Sequence, residues 1–414
     1  MMFYLFYNFI FFLFFIPVAL IFFFTSLIKG KSVQSVLKRF FYKKGDNQRK
    51  NIHFHGVSVG EIISMDKLIR NISKNCDITV SSGTETGYKT ALKRYPISDK
   101  ILFSPYDFPF SVKSFINCVN PKIFIIAEAE FWYNLYFYLG KKDIPIWIIN
   151  FRVGNKKAYL RLKFYYKRIF KFIDKFFIPS KDYIEFLKAF GVDESKIVFS
   201  GNLKADISYN EIDIKERANI KKRLKLTCGK KIFIAGSTSA GEEEELVKTI
   251  KKYKMSWKFI IVPRHIERAV EVKRIAEKNG FKTEMITNLK NNNYDILIVN
   301  TIGELFKIYS IADLAFVGGS LVPSGGHNIL EPIFHSVPTI TGKFYKNFKE
   351  LVDTIKQKGG LAVVDKATEL SPFFEMDAEE LKKLGETGKK ALNEMKGAVE
   401  IILKELEKTG VKCY

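Results

Sequence analysis

The stretch HFHGVSVGEI, residues 53–62, combines a short strand pattern, a turn of small residues and the first residues of a helix. The helical pattern continues as EIISMDKLIRNIS. A strand that runs directly into a helix is the repeating unit of parallel α/β sheets. Glu61 stands at the turn and has two interpretations. It is a helix cap, worth ~0.3–1 kcal/mol in a first helical turn, or a catalytic base at the sheet edge where ligands bind.

The same alternation of short β-branched or aromatic runs with helical patterns continues along the chain. The predicted strands are NIHFHGVS, DITVSS, KILFSP, KIFIIAEA, PIWIINF, KFFIPS and KIVFSG in the first half, and KIFIAGS, KFIIVPR, DILIVN, LAFVGG, VPTITG and LAVVD in the second. This pattern predicts an α/β fold with parallel sheets and helices on both faces. A chain of 414 residues suits two domains. The polar segment 203–215 predicts their boundary, with one domain at 29–205 and the other at 206–414.

Residues 1–28 contain no charged side chain and are long enough to cross a ~30 Å hydrocarbon core as a helix. A cleaved signal peptide would need basic residues before the apolar run and a small-residue cleavage site after it, and neither is present. We therefore expect an uncleaved N-terminal membrane anchor helix. Residues 29–50 contain eight Lys or Arg and one Asp, which predicts catalytic domains on the cytoplasmic side of the inner membrane.

The formal net charge of +23 predicts an anionic partner. The segment 156–177 interleaves bases with aromatic residues and is typical of an amphipathic helix that lies on a membrane surface. No recognised nucleic-acid-binding motif accompanies the charge, so an anionic membrane surface is the expected partner and nucleic acid is not. The four cysteines are far apart, His53 and His55 are too few for a metal site, and no Asp-x-Asp occurs. We expect neither a metal nor another cofactor.

A glycine-rich stretch, FVGGSLVPSGGHNILEP at 316–332, follows a predicted strand and leads into a helix. Glycines let backbone N–H groups approach a phosphate closely, and a helix N-terminus adds favourable dipoles. Glu331 could then accept hydrogen bonds from a ribose diol. In IVPRHIER, Arg264 ends a strand and could pair with the phosphate. The acids of GSTSAGEEEE, 236–245, are adequately explained as helix-capping residues.

These motifs resemble those of one family of glycosyltransferases. HGVSVGE, AEAEFW, GNLKAD, GSTSAGEEE, VPRHIER, IGEL, ADLAFVGGSL and GGHNILEP occur in the order found in 3-deoxy-D-manno-octulosonic acid (Kdo) transferases, over essentially the whole chain. The family adds Kdo from CMP-Kdo to a lipid A precursor, by inverting transfer. The resemblance implies a GT-B fold, with two Rossmann-like domains facing across a cleft, an acceptor-binding N-terminal domain and a CMP-sugar-binding C-terminal domain.

The resemblance also implies roles for individual residues. Glu61 of SVGE would be the general base, and Glu128 and Lys204 would support the transition state. The CMP site would be formed by Pro263, Arg264, Ile302, Gly303, Glu304, Asn328, Ile329, Leu330 and Glu331. A monophosphate leaving group could be stabilised by cations and backbone N–H groups without a metal.

The sequence departs from the family pattern at several positions. The family commonly has His at the position of Ser239, Pro at those of Ile329 and Tyr133, and a longer Arg/Ser signature after Arg152. These differences affect the expected acceptor preference more than the chemistry. Two other interpretations stay open: a GT-B transferase for another lipid acceptor or nucleotide sugar, and a non-catalytic, membrane-anchored module that binds anionic lipid or nucleic acid.

Overall fold

The structure is a computed structural model that describes residues 2–28, 36–42, 51–95, 97, 100–226 and 229–410, with side chains of the first helix up to residue 15. These residues form two compact units. One contains the chain up to Ile207 and the segment from Gly397 onward, and the other spans Ser208–Lys396. Most of the basic segment expected to flank an anchor, 29–50, lies outside the described residues.

The first unit contains a parallel sheet of seven strands in the order β3-β2-β1-β4-β5-β6-β7. The strands are β1 Asn51–Gly56, β2 Ile78–Ser82, β3 Ile101–Phe103, β4 Pro121–Ala127, β5 Ile146–Ile149, β6 Lys175–Ile178 and β7 Ile197–Phe199. The helices are Met2–Ile28, Val59–Ser64, Asp66–Ile72, Glu85–Arg94, Pro109–Val119, Tyr133–Lys141, Lys156–Arg161, Lys163–Phe170, Asp182–Ala189 and Ala398–Lys408. All seven strands predicted for this half are confirmed.

The second unit repeats this architecture, with the strand order β10-β11-β9-β8-β12-β13-β14. Its strands are β8 Lys231–Thr238, β9 Trp257–Pro263, β10 Thr283–Met285, β11 Ile296–Ile298, β12 Leu314–Val317, β13 Thr339–Gly342 and β14 Ala362–Val364. The helices are Ile214–Arg223, Glu242–Ile250, Ala269–Lys278, Leu305–Tyr309, Leu330–Phe334, Lys349–Gln357, Ser371–Glu375 and Ala378–Glu394. Among the strands of the described residues, the one that the sequence patterns did not predict is β10, a half-buried edge strand of three residues with a polar centre.

The central strands are buried on both faces, as parallel sheets between helices require. Strand β1 is buried throughout and carries two histidines. His53 contacts the hydroxyls of Thr79 at 2.7 Å and Ser81 at 2.8 Å, and His55 contacts the Ser81 hydroxyl at 2.8 Å. Burial lowers the pKa of the His55 imidazole to about 4. These histidines therefore belong to a buried hydrogen-bond network that joins β1 to β2.

One face of the first helix is bound to the first unit by aromatic and polar contacts. Tyr7 donates a hydrogen bond to Asp107 at 2.8 Å, and Asn8 exchanges two with Asn134 at 2.8 and 3.1 Å. Phe15 packs edge-on against Phe108 at a centroid distance of 4.7 Å. These hydrogen bonds make the helix part of the folded unit, because a buried amide or phenol is costly to leave unpaired.

None of the helices in the described residues combines the length and the apolar character that crossing a membrane requires. The expected transmembrane anchor over residues 1–28 is therefore not supported. Hydropathy gives little weight to the polar residues Tyr4, Tyr7 and Asn8 within this apolar segment. In the structure all three form hydrogen bonds with other parts of the first unit.

The end of the chain returns to the first unit. Helix Ala398–Lys408 packs in the same core as β1 and β2. Its first turn is capped by the buried Asp206, which accepts hydrogen bonds from the N–H groups of Gly397 at 2.9 Å and Val399 at 2.7 Å. The expected division placed this helix in the second domain, because nothing local in its sequence shows which core its apolar face joins.

Candidate active site

Glu61 lies in the first turn of helix Val59–Ser64, directly after β1. Its carboxylate accepts hydrogen bonds from the Val57 N–H at 2.5 Å and from the Ser58 hydroxyl at 3.0 Å. The Ser58 hydroxyl in turn accepts one from the Glu61 N–H at 3.4 Å. By its local contacts Glu61 is therefore a capping residue. Whether it can also act as a base depends on the groups around it.

Glu128 follows β4, the strand next to β1. The strand order reverses between these two strands, and such a reversal is where open α/β sheets bind ligands. Glu128 has a φ of +61°, a conformation that is uncommon and costly for a residue with a side chain. The fold thus places two carboxylates at the reversal point, one of them on strained backbone.

Two cations accompany Glu128. The Lys204 ammonium lies 2.9 Å from Glu128 Oε1, and an Arg152 guanidinium nitrogen lies 3.8 Å from the same oxygen. Lys204 comes from the loop after β7, and this loop is held over the sheet by a hydrogen bond of 3.2 Å from the Leu203 N–H to the Asn150 side chain. The structure thus brings Glu128 and Lys204 together, as expected, and adds Arg152.

The electrostatics of Glu61 oppose the effect of its position in the helix. A helix N-terminus favours an ionised carboxylate, but burial, followed by the nearby Glu128 charge, raises the pKa of the Glu61 carboxyl to about 7. Burial similarly raises the pKa of the Glu130 carboxyl, which accepts a hydrogen bond from the Trp132 indole. Sequence reasoning assigned no role to Glu130. Its position two residues after Glu128, in the motif AEAE, was the available signal.

In the second unit, a cavity of about 710 Å³ opens at the carboxyl ends of β9 and β11, and several predicted CMP residues line it: Pro263, Arg264, Ile302 and Gly303. Partial burial raises the pKa of the half-buried Glu331 carboxyl, and the charge of the exposed Arg264 acts in the opposite direction. Arg264 therefore lies close to Glu331, as one nucleotide site requires. Ile302 is 85% exposed at the rim.

Asn328 connects Glu331 to a residue that sequence analysis missed. The Asn328 amide nitrogen donates hydrogen bonds to Glu331 Oε1 and to the Tyr209 hydroxyl, both at 3.0 Å, and its oxygen accepts one from the Leu330 N–H at 3.2 Å. Tyr209 stacks on Phe306 at a centroid distance of 5.0 Å. Ile329 and Leu330 are buried and support this turn by packing. Tyr209 lies in a polar segment that has no motif.

Glu304 is engaged by another residue that carried no sequence signal. Arg223, at the end of helix Ile214–Arg223, binds both Glu304 oxygens, at 3.0 and 2.5 Å. This pairing lowers the pKa of the Glu304 carboxyl. Glu304 therefore holds the Ile302–Gly303 turn in place through a two-pronged ion pair.

The first glycine pair of the glycine-rich loop does not offer its N–H groups to an external ligand. The N–H groups of Gly319, Ser320 and Leu321 each donate to the Glu242 carboxylate at 2.7 Å. The expected approach of glycine N–H groups to a phosphate is therefore not met at this pair, because an internal carboxylate occupies these donors.

The chain is similar in sequence to known glycosyltransferases. A family model described as 3-deoxy-D-manno-octulosonic-acid transferase matches residues 34–207. A 3-deoxy-D-manno-octulosonic acid transferase from Haemophilus influenzae is 32% identical over 371 residues, which cover 86% of each chain. A bifunctional glycosyltransferase/methyltransferase from Fusobacterium nucleatum is 33% identical over 75% of this chain, which spans only half of that protein's length.

Among solved structures, UDP-GlcNAc 2-epimerase from Neisseria meningitidis matches with a TM-score of 0.56 and 15% identity, covering 87% of this chain and 100% of that one. A likeness at this identity shows the fold alone. Identity to the Haemophilus protein over most of both chains shows the family. The resemblance inferred from the motifs is thereby confirmed, and the chain belongs to the 3-deoxy-D-manno-octulosonic acid transferase family.

Proposed function

We propose that the protein transfers Kdo from CMP-Kdo to a lipid A precursor with inversion, and that Glu61 is the general base. The observation that carries this proposal is the pair of carboxylates at the reversal point of the first sheet. A carboxyl whose pKa is about 7 matches the requirement of a base at neutral pH.

In this reaction a hydroxyl oxygen of the acceptor attacks the anomeric carbon of Kdo. The bond from that carbon to the phosphate oxygen breaks, and CMP leaves with the bonding electrons. The hydroxyl proton moves to Glu61. The acceptor hydroxyl is a poor nucleophile, so a base that removes its proton as the new bond forms lowers the barrier.

Glu128, Lys204 and Arg152 support the transition state in this proposal. The two cations stand on the same Glu128 oxygen, so the group combines positive charge with a carboxylate in a small space. Positive groups placed in advance stabilise the charge that develops on a departing anion, and they do so more strongly where water is excluded. The strained φ of Glu128 is consistent with a backbone held for function.

The second unit binds the CMP portion of the donor in this proposal, and the first unit binds the acceptor. Arg264 contacts the phosphate, Glu331 accepts from the ribose, and Asn328 holds Glu331 through its amide. Pro263, Ile302 and Gly303 line the cavity, and Glu304 holds the Ile302–Gly303 turn in place. No resident cofactor takes part.

Membrane association accompanies this function. On the first helix, the residues opposite the protein-facing side are exposed and apolar: Leu5, Phe6, Phe9, Leu13 and Phe14. Exposed Phe164 packs against Phe3 of the first helix at a centroid distance of 6.3 Å. Leu160 and Leu162, close to it in the chain, are also exposed, and Arg161 and Lys163 lie between these apolar residues. We assign this surface to the cytoplasmic face of the inner membrane, where anionic head groups attract the bases.

The direct test supplies the purified full-length protein with CMP-Kdo and lipid A precursor in detergent. The expected result is a lipid product heavier by Kdo residues, with release of CMP. CMP-Kdo that is consumed only with another lipid would assign a different acceptor. Binding to anionic vesicles without any turnover would favour the non-catalytic interpretation.

A further inference from the structure

The reversal point of the second sheet is the counterpart of the candidate active site in the first. It lies between β8 and β12, which are neighbours in the sheet. Beyond β12, the successive N–H groups of Gly319, Ser320 and Leu321 converge on one place. Convergent backbone N–H groups form a nest for anions, and the reversal point is where a ligand is expected.

The occupant of the nest is a side chain of the chain itself. Oε1 of Glu242 accepts from Ser320 and Leu321, and Oε2 accepts from Gly319 at 2.7 Å and from Ser239 at 2.8 Å. Glu242 is completely buried. Four N–H donors on two oxygens satisfy an ionised carboxylate well.

The surrounding glycines fit this carboxylate closely. A Cβ on Gly318 would lie 2.9 Å from Glu242 Oε2 and 2.7 Å from the Ser237 carbonyl oxygen. Gly319 has a φ of +66°, and its Cβ would lie 2.6 Å from the His327 ring. Both positions therefore need glycine because of groups within the protein.

The nest connects directly to the nucleotide residues. The Gly319 carbonyl accepts a hydrogen bond from the Gly326 N–H at 2.8 Å, so both ends of the loop are joined. His327 and Asn328 follow Gly326 in the chain, and Asn328 holds Glu331. The backbone conformation that Glu242 fixes at Gly319 therefore also fixes the position of Asn328.

We propose that Glu242 is a positioning residue that acts as an internal anion: it occupies the nest and holds the glycine-rich loop in the shape that binds the nucleotide. The nucleotide part of this inference rests on the proposed function. Without the carboxylate, four N–H donors would point at one another across an empty space. The loop would then relax, and the nest would take up a small external carboxylate.

The test uses the full-length Glu242→Ala protein in detergent, with CMP affinity measured by calorimetry and melting temperature measured in parallel. The expected result is a CMP affinity lower by at least about tenfold, as for lost hydrogen bonds to a charged group. Sodium formate should restore both quantities in a saturable way, whereas sodium chloride at the same ionic strength should not. At saturating donor, kcat should change little.

Glu244→Ala is the matched control, because Glu244 lies on the same helical turn but is exposed and pairs with Lys248 at 2.8 Å. It should change neither quantity and should not respond to formate. Glu242→Asp keeps the charge on a shorter side chain and serves if the alanine variant does not fold. It should retain most of the melting temperature and lose CMP affinity.

Unchanged CMP affinity in a folded Glu242 variant would overturn the inference, as would a loss that formate does not restore. Wild-type protein that fails to bind CMP would instead overturn the proposed function. In that case formate would still test the nest through the melting temperature of Glu242→Ala.

Discussion

The two sheets carry the same four-residue pattern after their first strands, and they use it in opposite ways. Ser58-Val59-Gly60-Glu61 follows β1, and Ser239-Ala240-Gly241-Glu242 follows β8. Glu61 is the third residue of its helix, whereas Glu242 is the first residue of its own, after a glycine with a φ of +91°. A shift of two positions in the helix start changes where each carboxylate points.

The difference in partners decides the chemistry of the two carboxylates. Glu242 receives four backbone N–H groups and is fully satisfied. Glu61 receives one N–H and one hydroxyl, and Glu128 raises its pKa further. A carboxylate that is saturated with donors is a structural anion, whereas one that is buried with few donors gains affinity for a proton. The comparison therefore predicts a base at Glu61 and a support at Glu242.

The largest effect expected is on turnover. Glu61→Gln should lower kcat by roughly 10²–10⁴-fold, the usual contribution of general base catalysis, because the amide cannot take the acceptor proton. CMP affinity should stay near wild type, and the melting temperature should not fall. Glu85→Gln, in the first turn of another helix of the same unit, is the control. A near-normal kcat for Glu61→Gln would make Glu61 a cap and remove the contrast with Glu242.

A smaller effect is expected at Glu331, a half-buried carboxylate that the Asn328 amide holds at 3.0 Å. Glu331→Ala should weaken CMP binding by about 1–3 kcal/mol, because the ribose hydroxyls lose a charged acceptor. Calorimetry with CMP measures this. Unchanged affinity with a lower melting temperature would show that Glu331 is only structural.

Stability should depend on pH through Glu61. Its folded pKa of about 7 lies above the usual 4.5, so the folded state retains a proton that the unfolded chain loses. The stabilising contribution is complete below pH 4.5 and is lost as the pH rises through 7. Relative to wild type, Glu61→Gln should therefore gain roughly 1–3 kcal/mol of unfolding free energy between these limits. A difference that does not vary with pH in urea titrations would contradict the raised pKa.

The smallest effect expected is a displacement of the pH profile of turnover. The wild-type rate should rise with pH through about 7, as Glu61 becomes ionised. The Glu128 charge contributes to that pKa, so the rising limb of the less active Glu128→Gln protein should lie at lower pH. A limb that stays in place would mean that burial alone sets the pKa.

Local patterns predicted much of this molecule. Thirteen strands and the two α/β units followed from short motifs. The resemblance named Glu61, Glu128 and Lys204 as candidate site residues. Arg152, Tyr209 and Arg223 received no role, because each acts through a contact with a residue far away in the chain. Hydropathy likewise gave no sign of the hydrogen bonds that Tyr7 and Asn8 of the first helix make with Asp107 and Asn134.

The sequence alone determined the alternation of strands and helices, the family, and the presence of an S-x-G-E motif after the first strand of each unit. Only the tertiary structure decided which of the two glutamates is saturated and which is poised to take a proton. Three of the four N–H donors that satisfy Glu242 come from a loop 77 to 79 residues further along the chain. The charge that helps to raise the pKa of Glu61 is that of Glu128, directly after the neighbouring strand β4. Most of the groups that set the charge state of a buried carboxylate are distant in the chain, so a short motif cannot specify them.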